Sequence, residues 1–151
     1  MRRSGMTVDF LDPEKWGVRQ AFCNSVFTPY FFAESGFDEV IAKSSDGKPA
    51  VVRWQRNGVT NYFSTIPSVP AGFIRKIAAS SGVRVWSRTD DPVWAGNDFV
   101  TLHARTGGEK QLDLPAGTAA RSVLGPELGV LADGKFTAEP GRTYGFVIEK
   151  R

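Results

Sequence analysis

The side chains able to do chemistry are few in this sequence, and the first to weigh is its single histidine, His103. A Ser-His-Asp or Cys-His relay would have to pass through it. No G-x-S-x-G turn is present to raise a serine toward it, and His103 sits at mid-strand spacing on the face of Phe99 and Thr101. That position suits a histidine hydrogen-bonded into the fold better than a general base. Asp90 and Asp91 are the natural carboxylates to test for glycoside hydrolysis, which needs two such groups roughly 5 to 10 Å apart across a cleft. Adjacent residues on an extended chain point to opposite sides, so these two cannot form that pair together. Their place before Pro92 is also ordinary turn chemistry. Cys23 has no helix N-terminus or basic neighbour to lower its pKa and reads as an inert buried thiol. Gly107-Gly108 lies between two strands, whereas a phosphate cradle needs a strand-to-helix step. Carboxylates at ligand spacing around His103 are lacking, so no metal site is expected and no catalytic residue is assigned. No cofactor is expected either.

Binding chemistry is better represented. Trp86 and Trp94 flank the Arg88–Pro92 loop, with Asp90 inside it, Asn97 close behind and His103 on the next strand. Exposed indole faces stack on sugar rings while neighbouring amides and carboxylates bond the hydroxyls. Trp86, Asp90, Trp94, Asn97 and His103 are therefore the carbohydrate-binding candidates. The competing reading places both tryptophans in a core or an interface.

The elements that must hold these residues are mostly strands. Asp46-Gly47 separates Glu39–Ala42 from Ala50–Gln55, and Asn57-Gly58 separates the latter from Val59–Ser64, a three-stranded meander. Pro67, Ser68 and Pro70 open a helix over Pro70–Ser81, with Phe73, Ile74, Ile77 and Ala78 as its apolar stripe and Gly82 as its stop. The narrow stripe predicts that this helix lies on one face of a sheet. Beyond it, Val83–Trp86, Asp98–Arg105, Gln111–Leu114, Ala119–Leu124, Lys135–Ala138 and Tyr144–Glu149 read as short strands punctuated by turns, the pattern of a small antiparallel β-sandwich. Residues 1–37 are less regular, with a short helix expected within Glu14–Ser25. Their aromatic set (Trp16, Phe22, Phe27, Tyr30, Phe31, Phe32 and Phe37) must cover something, either this domain or a partner. The expected class is α+β, mostly β, in three parts: an aromatic-rich capping segment over 1–37, a meander with a packed helix over 38–82, and a β-sandwich over 83–151.

Composition narrows the function classes. The chain has 151 residues, 41% hydrophobic and 23% charged, values of a folded domain. The net charge of +3 comes from scattered basic residues, with Arg2-Arg3 the only cluster. No basic stripe for nucleic acid is visible. No apolar run approaches the roughly 18 residues that span a bilayer. Met1–Ser4 resembles a signal-peptide start, yet Met6–Lys15 supplies no apolar stretch behind it. The lone cysteine excludes an internal disulfide. It fits a reducing compartment such as the cytoplasm, and equally a periplasmic protein built without disulfides.

The order of these signals resembles a known family. The run from Tyr62 to Pro115 contains a Pro-started helix ending in Ala78–Val83, a D-D-x-V loop at Asp90–Val93, an A-x-N step at Ala95–Asn97, a V-x-L-H-A strand at Val100–Ala104 and a G-x-K-x-L-x-L-P stretch at Gly108–Pro115. This pattern is similar to the C-terminal region of β-galactosidase-like glycoside hydrolases related to family 42. There a catalytic (β/α) barrel is followed by a glutamine-amidotransferase-like trimerisation domain and a small β domain. Ala42–Ser64 likewise resembles the last hairpin strands of the trimerisation domain, so the resemblance covers residues 38–150. It implies that 38–82 is the end of an amidotransferase-like layer and 83–151 the C-terminal β domain. The barrel with its acid and nucleophile glutamates has no counterpart here, so no catalytic residue carries over. Cys23, in no elbow motif, cannot stand for the amidotransferase nucleophile. The resemblance implies a non-catalytic accessory or assembly domain, with a catalytic barrel domain or neighbouring subunit as partner, homo-oligomers included. The alternatives are a carbohydrate-binding module and a small independent hydrolase whose carboxylates converge only in the fold.

Overall fold

Asn57 and Gly58 both adopt left-handed backbone angles, φ 52° and 76°. A two-residue hairpin turn that matches strand twist requires this, and Asn-Gly tolerates it. In the computed structural model, which describes residues 5–23 and 30–151, the chain divides into two compact units, residues 1–77 and 78–151.

The first unit contains β1 (Met6–Phe10), α1 (Pro13–Trp16), β2 (Gln20–Cys23), β3 (Glu39–Ser44), β4 (Pro49–Arg56), β5 (Val59–Ser64) and most of α2 (Ala71–Ser80). The predicted meander is present as β3-β4-β5, within a five-stranded sheet of order β2-β1-β3-β4-β5 whose neighbours are all antiparallel. β1 and β2 come from the aromatic-rich stretch. β1 pairs along β3, with Val8 opposite Ser44 and Phe10 opposite Ala42, and so occupies what would otherwise be an open strand edge. The helix expected within Glu14–Ser25 is corrected to one turn. Asp12 caps it by accepting the Lys15 N–H at 2.9 Å, and Gly17, at φ 67°, ends it with its N–H on the Pro13 carbonyl. The chain then returns as β2, because Ala21 and Cys23 alternate inward where a helix would scatter them. Met1–Ser4, Asn24, Ser25, Phe27 and Pro29 lie outside the described residues.

The sheet is closed on one face by α2. Phe73, 2% exposed, meets Phe10, Trp16 and Tyr62 edge-on, at centroid separations of 5.4, 5.2 and 6.0 Å. Ile77 packs on the same core, but Ile74, expected in the stripe, is 53% exposed. The helix meets the core along a narrower line than its apolar residues suggest. Its start also lies very close to the end of α1. A Cβ on Gly72 would fall 2.7 Å from the Gly17 carbonyl oxygen, so only glycine permits this approach.

The second unit holds β6 (Val93–Ala95), β7 (Phe99–His103), β8 (Gly108–Gln111), β9 (Thr118–Leu124), β10 (Val130–Leu131), β11 (Lys135–Ala138) and β12 (Thr143–Lys150). A five-stranded antiparallel sheet of order β10-β9-β12-β7-β6 faces a two-stranded β8-β11 ribbon. Val100 and Leu102 on β7, Ala120 on β9 and Tyr144 and Phe146 on β12 share a core with Phe136 and Ala138 of the ribbon. The Phe136 ring lies 5.1 Å from Tyr144 and 5.2 Å from Phe146. The Tyr144 hydroxyl accepts the Glu139 N–H at 2.8 Å, which satisfies the polar end of a buried ring. The α+β, mostly β class therefore holds, with a five-on-two sandwich after the helix.

Two expected strands shift. Val83–Trp86 forms no strand; the Trp86 carbonyl accepts the Asp113 N–H at 2.9 Å, and the Arg84 guanidinium lies over Trp86 and donates to the Asp113 carbonyl. The strand expected at Gln111–Leu114 lies instead at Gly108–Gln111. Leu112 and Leu114, expected to point inward, do pack on the core, with the Leu112 N–H on the Gly134 carbonyl at 2.9 Å and a bridge to Ser87. β6 and β10 are short additions at the sheet edges.

Truncating Phe73 tests the first core directly. Phe73→Ala should destabilise the protein by about 3–5 kcal/mol, read as an earlier midpoint in chemical denaturation followed by near-ultraviolet circular dichroism.

Candidate functional site

From Lys110 the burial alternates, Lys110 in, Gln111 out and Leu112 in, so the two-residue period that turns Leu112 inward turns Lys110 inward as well. An ammonium there needs a counter-charge. Asp91 supplies it at 2.7 Å, and the two side chains are only 3% and 2% exposed. Asp91 is further held by the Thr89 hydroxyl at 2.6 Å and the Arg105 N–H at 2.8 Å, while Lys110 also donates to the Thr106 hydroxyl at 3.2 Å. Ser87 and Thr89 hydroxyls meet at 2.8 Å. Burial pushes the Asp91 carboxyl upward. The hydrogen bonds from Lys110, Thr89 and the Arg105 N–H, with the Lys110 charge, outweigh that and hold it below the ordinary carboxylate range. The network pins the 87–92 segment onto β8. Sequence reasoning treated Asp91 as turn chemistry and passed over Lys110. The alternation through Leu112 was the available signal for the lysine, whereas its partner is fixed only by the fold.

Outside this lock lies a cleft of about 430 Å³. Arg88 and Thr89 form one wall, Asp113 closes an end, and the solvent-facing residues of the ribbon, Glu109, Gln111, Lys135 and Thr137, line the rest. The register sets Gln111 opposite Lys135 and Glu109 opposite Thr137.

The five candidates predicted from sequence do not converge, and none of them lines this cleft. Trp86 packs against the core of the second unit with the Arg84 guanidinium 5.5 Å from its ring centre, so that face is covered. Asp90 is exposed in the neighbouring loop, and its carbonyl accepts from Arg105 at 3.4 Å. Trp94, 62% exposed, stands on β6 opposite Thr101. Asn97 is exposed in the turn joining β6 to β7. His103 contacts the Thr143 hydroxyl through Nδ1 at 2.9 Å, across the strand pair. Alternation puts Trp94, Thr101 and His103 on the outward sheet face. Phe99 and Leu124 share that face across Gly145, where a Cβ would fall 2.8 Å from the Leu124 Cβ. Among the described residues, no three His, Cys, Asp or Glu side chains converge to hold a metal ion, and no helix is long and apolar enough to cross a membrane.

The first unit carries a different surface. On the sheet face away from α2, Val52, Trp54 and Phe63 form the floor of a groove of about 260 Å³ walled by Phe31, Phe32 and Phe37. The Phe31 carbonyl accepts the Thr65 hydroxyl at 2.8 Å, and the Lys48 ammonium stands 5.0 Å from the Phe32 ring centre. Phe31 remains 71% exposed.

No protein-family model and no curated protein matches the sequence. Among solved structures, β-galactosidase from Bacillus circulans sp. alkalophilus is similar in fold, with a TM-score of 0.60 at 17% identity. The match covers 100% of this chain and 23% of that chain. The fold is thus that of one part of a larger β-galactosidase, and this chain spans about a quarter of its length.

Two outcomes follow from the buried pair. Lys110→Ala strands the Asp91 charge and should cost about 3–5 kcal/mol, whereas replacing both partners by apolar residues of similar size should cost far less; denaturant unfolding of the single and double variants compares them. Because Asp91 titrates lower in the folded state than in the unfolded chain, its contribution is present above about pH 4 and is lost as pH falls through the lower folded value. Stability measured across acid pH should decline less steeply in Asp91→Asn than in the parent, from a lower starting value.

Proposed function

We propose that this chain is a non-catalytic accessory and assembly domain of a β-galactosidase-like glycoside hydrolase, corresponding to the C-terminal region of enzymes related to family 42. The observation that carries the proposal is the match of the whole chain to 23% of a β-galactosidase chain. Among the described residues the chemistry agrees with it: the most buried carboxylate, Asp91, is occupied by Lys110, and His103 is engaged with Thr143. In this reading residues 38–82 are the end of an amidotransferase-like layer and residues 83–151 the terminal β domain, each serving to hold a catalytic barrel domain or neighbouring subunit. The aromatic groove of the first unit supplies a contact surface, since Phe31, Phe32 and Phe37 offer apolar area beside an exposed rim. Self-association into a homo-oligomer through the same groove fits equally.

A carbohydrate-binding module is the second reading, and one observation favours it: Trp94 stands 62% exposed on the outward sheet face. Trp86, half-buried under Arg84, is poorly placed to act beside it.

The isolated chain should show no turnover of nitrophenyl galactosides. It should also form a complex with the glycosidase catalytic domain encoded beside it, or self-associate, with Phe31→Ser weakening either association in sedimentation experiments. A strict monomer at high concentration, with no glycosidase encoded nearby, would remove the assembly reading. Turnover abolished by one Asp or Glu substitution would replace it with a hydrolase.

A further inference from the structure

The cleft over the β8-β11 ribbon has a composition that selects a class of ligand. Two cations, Arg88 and Lys135, and two anions, Glu109 and Asp113, line it, so its net charge is near zero once Lys110 is neutralised by Asp91 beneath. Charges of both signs argue against a phosphate or a polycation, each of which would meet like charge on the same wall. Arg88 and Asp113 form an exposed ion pair at 3.9 Å, close enough to compensate one another while their remaining donors and acceptors stay open to solvent. Neither therefore stands as the isolated charge that a free amino acid's termini would seek. Lys135 is likewise offset by Asp133 at 3.8 Å. The side chains of Glu109, Gln111 and Thr137 make no hydrogen bond within the protein among the described residues. Donors and acceptors thus alternate along the wall with capacity to spare.

Vicinal hydroxyls, each donating and accepting at once, match such a surface better than any charged group. The volume of about 430 Å³ falls in the range of small-molecule sites. We propose that this cleft binds a neutral saccharide of one or two rings, through Arg88, Glu109, Gln111, Asp113, Lys135 and Thr137. The site is separate from Trp94, and it depends on neither the assembly reading nor the tryptophan-based one. A domain that merely joins others has no use for it, whereas beside a glycosidase it would retain substrate or product.

The test is a backbone amide shift titration of the full chain with galactose, glucose and lactose, with glycylglycine and inorganic phosphate as comparison ligands. Saturable shifts centred on Glu109–Gln111 and Lys135–Thr137 with at least one sugar are expected. Arg88→Ala and Gln111→Ala should each weaken binding roughly tenfold, and Trp94→Ala should leave it unchanged. Both cleft substitutions are at exposed positions, and an unchanged thermal midpoint verifies their folding. The parent's shift map stands without either variant. The inference is overturned if no sugar gives saturable shifts, if the shifts centre on Trp94 and Phe99, or if only the dipeptide or phosphate occupies the cleft. A non-catalytic chain that fails to associate would leave this result untouched, so the two proposals fail independently.

Discussion

An ammonium group cannot be taken out of water without an anion beside it, because its desolvation otherwise exceeds what packing returns. In the second unit that requirement falls on Lys110, which the alternation of β8 drives toward the interior. Meeting it brings Asp91 against the ribbon, and with Asp91 come Thr89, Ser87 and the backbone of Arg105. The 87–92 segment is thereby fixed, and its exposed side becomes one wall of a cleft whose floor is the ribbon itself. The polar surface around Arg88 and Gln111 is a consequence of how a buried charge beneath it is satisfied. The same network occupies Asp91, whose side chain is only 2% exposed.

The first unit is organised by apolar contact. Phe73 of α2 sits among Phe10, Trp16 and Tyr62 in edge-on geometry, so one helix turn joins β1, α1 and β5. The close approach of Gly72 to Gly17 lets the helix start come down far enough for that contact. The opposite sheet face is served by a less complete cover. Phe31, Phe32 and Phe37 wall a groove over Val52, Trp54 and Phe63, and this leaves aromatic area at the surface that the unit does not itself consume. Beyond its core the first unit thus carries an aromatic groove, and the second a polar cleft over its ribbon as well as the exposed Trp94 and Phe99.

Much of the strand order could be read without coordinates. Asp46-Gly47 and Asn57-Gly58 state where the chain reverses, since few other residue pairs accept the backbone angles of those turns. Val100, Leu102 and Ala104 announce a buried face by alternation alone, and all three are buried. The helix boundaries lie within a residue of the structure at each end, set by Pro70 before and Gly82 after. The misread segments are those where local preference was overridden. Residues 20–23 have helical neighbours yet pair with β1, and Val83–Trp86 alternates like a strand but finds no ladder. In both places the outcome rests on which chain lies alongside.

The candidate site divides along the same line. By itself the sequence determined the residue types, the turns and the mostly β class, because these depend on local backbone preference and on period-two or period-3.6 spacing. Lys110 is not singled out by it, because the burial of a lysine acquires a role only beside Asp91. Tertiary structure alone decided that Trp86 and Trp94 part company, one half-buried under Arg84 and the other on an open face. It also decided that Arg88, Gln111 and Lys135, drawn from separate stretches of chain, share one cleft. The physical reason is that binding surfaces are made of contacts between residues distant in sequence, and such distances are set by the register of strands against one another.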